Sequence, residues 1–166
     1  MSYTSLCFSL FFVIFSVVSF RYFSVNDNFA VSYRYLKLVL QWQPSVCSKP
    51  GVNCSVSPFP KFTIHGLWPS NYSRSQPSNC NDKPFNFSRL QWNLRQDMYE
   101  NWPDVIRNQS EKFWKHEWDK HGKCSAMTQE SYFKFTVITT KDQKYNLLRF
   151  LKEEGISPNN SRTVDK

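Results

Sequence analysis

The sequence lacks an apolar run long enough to cross a membrane. Its longest one, Leu6–Phe20, is shorter than the roughly 20 residues that a transmembrane helix requires. It fits the apolar core of a secretory signal peptide with Val17 and Ser19 as small residues at the cleavage site, although no Lys or Arg precedes it. We therefore expect residues 1–19 to be a signal peptide that is removed, and the mature protein to be secreted and extracellular, without membrane association.

Acidic residues are scarce. The 166 residues include 21 Lys and Arg but 13 Asp and Glu, for a formal net charge of +8, and residues 1–19 contribute nothing to it. A basic protein is steered towards polyanions such as nucleic acid. The same composition would also suit a basic protein that its charge merely keeps soluble, so the charge favours an anionic partner without identifying it.

The cysteine spacing of common zinc sites is also absent. Cys7 lies in the signal peptide, and the four remaining cysteines, Cys47, Cys54, Cys80 and Cys124, form no Cys-x-x-Cys pair. An even number of cysteines in a secreted chain indicates two disulfides, for which three pairings are open.

Asn-x-Ser sequences are glycan acceptors in a secretory chain. The candidates are Asn71, Asn86, Asn108 and Asn159. Asn53 is a weaker candidate because Cys54 occupies the middle position of its sequon.

Few segments have the alternating pattern of a strand. Arg34–Trp42 and Phe62–Leu67 are predicted strands, and Ser45–Lys61 and Ser70–Pro84 are predicted loops. The predicted helices are Leu90–Trp102, Phe113–Gly122 with Gly122 at the C′ position, Tyr132–Ile138 and Tyr145–Glu154. This order predicts an α+β fold with an antiparallel central sheet flanked by helices, in one domain over residues 20–166. Two strands make a marginal sheet, so the sheet is short of strands.

Two stretches hold all three histidines. FWKHEWDKHGKC (Phe113–Cys124) contains His116 and His121, and FTIHGLWP (Phe62–Pro69) contains His65. A zinc-protease helix needs two histidines at i and i+4, whereas positions five apart lie about 140° apart around a helix. This spacing argues against a zinc-dependent hydrolase.

The same residues suit phosphodiester cleavage. Glu117 and His121 are at i and i+4 and Lys120 lies beside them. Cleavage requires a base, an acid and positive groups for the charge that builds on phosphorus, and histidine titrates near neutral pH. Taken singly, His65 would be a structural histidine, the Glu–Lys–His face a solvated helix, and the tryptophans Trp68, Trp114 and Trp118 core residues. Because every histidine falls in one of the two stretches, we expect the stretches to meet in one active site.

The two stretches closely resemble the active-site segments of the ribonuclease T2 family, secreted endoribonucleases of plants, fungi and animals. LVLQWQP before Cys47 is similar to the family's first core strand, and HGLWPSNYS with the basic charge is most similar to the plant branch that includes pistil S-RNases. The resemblance runs from about Tyr35 to the end of the chain. Family members continue past residue 166 with a helix, a further core strand and more cysteines. The resemblance thus implies a C-terminally incomplete domain whose later strand is missing.

The resemblance also implies roles for the residues. His65 protonates the leaving 5′ oxygen and His121 deprotonates the 2′ hydroxyl, which gives a 2′,3′-cyclic phosphate that is later hydrolysed to a 3′ phosphate. His116 contacts phosphate, and Glu117 and Lys120 support the charged transition state. DNA is spared because it lacks the 2′ hydroxyl.

Further implications concern binding and partners. Trp68 and Phe113 line base-binding subsites, where stacking tolerates all four bases. Cys47 pairs with Cys54, and Cys80 with Cys124. The substrate is single-stranded RNA, the chain is a monomer, and neither a metal nor a cofactor is implied. A pollen F-box type partner is expected if the protein acts in self-incompatibility, and defence or phosphate scavenging is the competing role. The alternative is a catalytically inactive secreted glycoprotein, a truncated remnant of the family.

Overall fold

Two antiparallel strands form the sheet. The computed structural model describes residues 33–72 and 76–156, so the expected signal peptide and Asn159 lie outside the described residues. Strand β1 is Tyr35–Trp42 and strand β2 is Phe62–Ser70. The predicted strands and the α+β class are confirmed.

The pairing of the two strands is interrupted at His65. Val39 is opposite Gly66 and Leu40 is opposite Ile64, which leaves His65 without a partner on β1. An extra residue of this kind is a β-bulge, which bends a strand and redirects its side chains.

The helices follow the strands. Helix α1 is Gln43–Cys47, α2 is Trp92–Asn101, α3 is Ser110–Lys120, α4 is Gln129–Lys141 and α5 is Leu147–Glu153. Single 3-10 turns lie at Phe87–Arg89, Gly122–Cys124 and Gln143–Tyr145. The four predicted helices are confirmed with shifted ends. The prediction of a loop from Ser45 was wrong at its start, because the short helix α1 lies there with Pro44 in its first turn, where a missing N–H costs nothing.

The core lies between β2 and helices α2, α3 and α4. Its fully buried side chains include Ile64, Leu67, Met98, Trp102, Trp114, Trp118, Tyr132 and Phe133. Burying an indole or a phenol requires a hydrogen-bond partner. Trp102 Nε1 donates to the carbonyl of His65 at 2.9 Å and the Tyr132 hydroxyl donates to the carbonyl of Leu67 at 2.8 Å. The core therefore fixes the backbone of β2 on both sides of Gly66.

Two disulfides are present in the structure. Cys47 is joined to Cys54 and Cys80 to Cys124, the same pairs that the resemblance implies. The first closes a short loop after α1. The second joins the long loop after β2 to the turn that follows α3.

Apolar side chains remain exposed on α4 and α5. Ile138 is 57% exposed, Phe135 45%, Phe150 42% and Leu147 37%. Part of the apolar surface of α5 is therefore left uncovered by the described residues. None of the helices in the described ranges is both long and apolar enough to cross a membrane.

Candidate active site

The bulge in β2 places His65 and Trp68 on the pocket side of the sheet. In a regular strand, residues three apart point to opposite faces. Here both His65 and Trp68 line one pocket, while Ile64 and Leu67, also three apart, are both buried in the core. The extra residue at His65 therefore changes which face each side chain occupies.

Glycine at position 66 leaves room for side chains between β2 and α3. A Cβ added there would lie 2.2 Å from Glu117 Oε2 and 2.4 Å from Trp68 Nε1. Through this gap the indole of Trp68 donates a hydrogen bond from Nε1 to Glu117 Oε2 at 3.0 Å. The absence of a side chain at position 66 therefore leaves room for this hydrogen-bonded pair.

Helix α3 presents most of the remaining groups. Glu117 is buried and half-buried Phe113 lies one turn earlier, whereas His116 and Lys120 are exposed. His121 follows the last helical residue and is buried. Gly122 occupies C′ as predicted, but the chain enters a 3-10 turn there, and an added Cβ would lie 2.3 Å from Trp118 Cε3.

One pocket of about 480 Å³ collects these side chains. Its lining includes all seven residues expected to act on or bind the substrate: His65, Trp68, Phe113, His116, Glu117, Lys120 and His121. Trp114 and Trp118 are core residues instead, at 0% and 2% exposure. The other charged residues of the 113–124 stretch, Lys115, Asp119 and Lys123, do not line the pocket. Asp119 forms salt bridges with both lysines.

The imidazole of His65 is held from two sides. Its Nε2 lies 4.0 Å from Glu117 Oε1, and its Nδ1 lies 3.4 Å from Gln41 Oε1. Its ring also makes edge contacts with Trp68, with centroids 5.7 Å apart, and with Phe113, at 5.4 Å. Gln41 thus orients the ring with Nε2 towards the carboxyl group.

The imidazole of His121 stacks on the indole of Trp68. Its ring lies 4.9 Å from the ring of Trp68, at an interplanar angle of 23°. Its Nδ1 is buried and has no hydrogen-bond partner among the described residues. Burial lowers the pKa of His121 to about 4, with further lowering by Lys120, His116 and His65. His121 is therefore neutral at pH 7.

Burial also shifts the other two central groups towards their neutral forms. It raises the pKa of Glu117 to about 7, against the opposing effects of the Trp68 hydrogen bond and the Lys120 charge. The pKa of His65 is lowered, and burial is the largest cause. Positive charge at His116, Lys120 and Lys49 lowers this pKa further. The 4.0 Å separation between His65 and Glu117 is too long for a hydrogen bond, and both pKa shifts favour the neutral forms, so the contact is not a strong salt bridge.

Several pocket residues were not identified from the sequence. Gln41 comes from β1, and the segment Asp104–Arg107 with Gln109 and Lys112 forms the opposite rim. Gln41 could have been found from its place on the strand that pairs with β2. The rim carries no motif and is brought to the site by tertiary packing alone.

The arrangement offers the neutral imidazole of His121, a carboxyl group that titrates near neutrality, the ammonium of Lys120 and the exposed imidazole of His116 around one pocket. Such a set can take a proton from a hydroxyl, return one to a leaving oxygen and stabilise negative charge between them. Over residues 33–72 and 76–156, no group of three or more His, Cys, Asp or Glu side chains is placed to hold a metal ion.

Comparison with known proteins agrees with these motifs. The model of the Ribonuclease T2 family matches residues 33–166. Ribonuclease MC of Momordica charantia is 38% identical over 125 residues, which cover 73% of this chain and 63% of that protein. Ribonuclease S-7 of Pyrus pyrifolia is 33% identical over 138 residues, which cover 81% of this chain and 61% of that protein. The chain thus spans less than two thirds of the length of these relatives.

A solved structure shares the fold. The crystal structure of RNase NT in complex with 5′-AMP superposes with a TM-score of 0.68 at 33% identity, covering 78% of this chain and 66% of that chain. The chain belongs to the ribonuclease T2 family.

Proposed function

We propose that the protein is an endoribonuclease that cleaves single-stranded RNA through attack of the 2′ hydroxyl. The observation that carries this proposal is the convergence of His65 and His121 on Trp68, with Glu117 and Lys120 in the same pocket. The nucleotide bound to the related RNase NT, 5′-AMP, supports a substrate of this class.

In the proposed first step, neutral His121 takes the proton of the 2′ hydroxyl. The 2′ oxygen then bonds to phosphorus while the bond from phosphorus to the 5′ oxygen breaks, and the protonated form of His65 donates a proton to that oxygen. The product is a 2′,3′-cyclic phosphate. Water then opens the ring to a 3′ phosphate, with the two histidines exchanging acid and base roles.

The surrounding groups act on charge and position. Lys120 and His116 are exposed at the pocket and supply positive charge to the phosphoryl oxygens. Glu117, whose pKa is about 7, lies 4.0 Å from His65 Nε2, and its ionised form stabilises the protonated imidazole electrostatically. Trp68 and Phe113 offer aromatic surface for stacking of bases without strict sequence preference.

The direct test is digestion of RNA with EDTA present. We expect cleavage without added metal, and losses of about a hundredfold to ten-thousandfold for His65→Ala and His121→Ala, the usual effect of removing a general acid or base. His116→Ala should cost about tenfold, as for one charge-assisted contact. Loss of cleavage in EDTA, or an active His121→Ala variant, would contradict the proposal.

We also propose that the protein is a secreted, monomeric glycoprotein. Asn86 and Asn108 are exposed, while Asn71 is half-buried. Asn86 Oδ1 accepts a hydrogen bond from the backbone N–H of Ser88 at 3.0 Å, which leaves its Nδ2 as the position for a glycan. Removal of glycans by an endoglycosidase should lower the mass of protein from a secreting host, and Asn86→Gln should remove one step of that shift.

Among biological roles, the basic charge leads us to favour pistil self-incompatibility, with a pollen F-box type partner, over defence or phosphate scavenging. Expression confined to the style would support this role. Induction by phosphate starvation or senescence would support the alternative.

The second candidate is a catalytically inactive secreted glycoprotein. The exposed apolar side chains of α4 and α5 favour it, because uncovered apolar surface weakens a small domain. A cooperative thermal melt by circular dichroism, with resistance to protease, supports the enzyme; a gradual melt of a protease-sensitive chain supports this alternative.

A further inference from the structure

The loop after α1 is held rigidly beside the active-site pocket. Its Cys47–Cys54 disulfide encloses a turn in which the Val52 N–H donates to the Lys49 carbonyl at 3.1 Å. Pro50 and Gly51 are the central residues of this turn, and Gly51 has a φ of +76°, which glycine adopts without strain. Lys49 therefore extends from a constrained piece of backbone rather than from a free loop.

This loop is docked onto the rim of the pocket. The backbone N–H and the hydroxyl of Ser55 both donate to the carbonyl of Ile106 at 2.9 Å. Gly51, Val52 and Ser55 share a second cavity of about 600 Å³ with Ile106, Arg107 and Gln109, three residues that also line the active-site pocket. The catalytic pocket thus continues along the rim into a groove beneath the disulfide loop.

The groove carries cations that have no acidic partner. Arg107 lines both cavities, Lys112 lines the active-site pocket, and Lys49 lies two residues before Gly51, which lines the groove. All three are exposed, and within the described ranges none of them forms a salt bridge. Lys115 and Lys123, by contrast, are both paired with Asp119. The carboxylate on this rim, Asp104, already accepts the backbone N–H groups of Ile106 and Arg107, each at 3.1 Å.

The groove lies on the His65 side of the site. Helix α3 begins beside the rim residue Gln109, contacts His65 through the ring of Phe113 at 5.4 Å, and ends just before His121, so the rim lies nearer to His65 than to His121. Lys49 is also among the charges that lower the pKa of His65. If His65 protonates the leaving 5′ oxygen, as in the proposed function on which this step rests, the released nucleoside lies on the same side as Lys49. The next phosphate along the chain is attached to the 3′ oxygen of that nucleoside.

We infer that Lys49 and Arg107 form a second phosphate subsite, which binds the backbone phosphate one nucleotide downstream of the scissile bond. The disulfide loop positions the lysine and the 104–107 rim positions the arginine. Two unpaired cations on fixed backbone suit a phosphate diester or monoester, since an ammonium and a guanidinium both donate to its oxygens.

Three short substrates test this subsite. They are a dinucleoside monophosphate, the same compound with an added 3′ phosphate, and the same compound with an added 5′ phosphate. The last two have equal charge, so they differ only in the side on which the phosphate lies. Wild-type protein should have the highest kcat/KM on the 3′-phosphorylated compound.

The variants are Lys49→Gln and Arg107→Gln, with Lys134→Gln on the exposed face of α4 as the control of equal charge change. Each of the first two should lower kcat/KM on the 3′-phosphorylated compound by about two- to fivefold, the effect of a solvent-exposed ion pair. The ratio of kcat/KM between the unphosphorylated and the 5′-phosphorylated compounds should stay unchanged, because any change in the pKa of His65 affects all three substrates alike. Lys134→Gln should leave the ratios unchanged.

Equal losses on all three substrates, or a preference for the 5′-phosphorylated compound, would overturn the subsite while leaving the ribonuclease proposal intact. If wild-type protein cleaves none of the three, the proposed function fails. The subsite is then tested by measuring binding of the non-cleavable 2′-deoxy analogues. Tighter binding of the 3′-phosphorylated analogue that Lys49→Gln abolishes supports it. Equal binding of the analogues rules it out.

Discussion

Trp68 and Glu117 are joined by a hydrogen bond of 3.0 Å that connects strand β2 to helix α3. The bond links the two motif stretches directly, and the indole that donates it also stacks on His121. One side chain therefore contacts the proposed base, His121, and also favours the ionised form of the buried Glu117 carboxyl group.

Gly66→Ala should impair both stability and activity. The new Cβ would lie 2.2 Å from Glu117 Oε2 and 2.4 Å from Trp68 Nε1, so both side chains must move and the hydrogen bond between them is disrupted. We expect a loss of about 1–3 kcal/mol in the free energy of unfolding, typical of overpacking, together with a fall in kcat/KM. Urea denaturation and RNA cleavage measure the two effects. Gly155→Asn is the control: its φ of +71° strains the backbone, least for asparagine among non-glycine residues, but no neighbouring atom is displaced, so activity should be kept. Unchanged activity of Gly66→Ala would show that the space at position 66 for the Trp68–Glu117 pair is not needed for activity.

Trp68→Phe should raise the pKa of Glu117 above about 7. The indole hydrogen bond favours the ionised carboxylate and so lowers this pKa against the larger effect of burial. Phenylalanine keeps an aromatic ring beside His121 but cannot donate the bond. A carboxyl-detected NMR titration follows Glu117 directly. Trp92→Phe, at a side chain that is 70% exposed, should leave the titration unchanged. A fall in the Glu117 pKa of the Trp68 variant would show that the bond does not act as described.

Glu117→Gln should make the protein more stable at pH 8 but not at pH 4. The pKa of Glu117 is about 7 in the folded protein and 4.5 when unperturbed. The unfolded chain therefore ionises first, so the native state is increasingly penalised as pH rises from 4.5 through 7, and the penalty is absent below 4.5. Glutamine removes it and, at the same time, removes activity.

The measurement is the difference in unfolding free energy between Glu117→Gln and wild type at each pH. Contributions from His121 are present in both proteins and cancel. Glu154→Gln, at an exposed position after α5, is the control that should show little dependence on pH. A stability gain that is the same at pH 4 and pH 8 would contradict the assigned ionisation.

Lys120→Gln should move the acidic limb of the pH–rate profile to higher pH. The profile of kcat/KM should fall on the acidic side near pH 4, where His121 becomes protonated. The Lys120 ammonium contributes to the lowered pKa of His121, so removing it raises that pKa. Lys115→Gln, on the same helix but paired with Asp119, is the matched control. If both variants have the same acidic limb as wild type, His121 is not the group that this limb reports.

The sequence was sufficient for what depends on local pattern. Apolar spacing predicted the two strands and the larger helices. The seven residues that the two motif stretches led us to expect in the site all line one pocket. Helix α1 was missed because Pro44 reads as a breaker, although proline is accepted in a first helical turn.

The remaining features depend on tertiary contacts. Regular alternation would place His65 and Trp68 on opposite faces of β2, and nothing in FTIHGLWP shows that the chain inserts an extra residue at His65. Gln41 and the 104–107 rim reach the site only because strand pairing and the Cys47–Cys54 loop bring them there. The burial that sets the pKa values of Glu117 and His121 is likewise a property of the folded core.

The most direct test of the central claim is the chemical nature of the ends formed early in digestion. With EDTA present, wild-type protein should release fragments that end in a 2′,3′-cyclic phosphate and convert slowly to a 3′ phosphate, and it should leave 2′-O-methyl RNA intact. Cleavage of 2′-O-methyl RNA, or 5′-phosphate ends from the first turnover, would contradict attack by the 2′ hydroxyl and with it the roles proposed for His65 and His121.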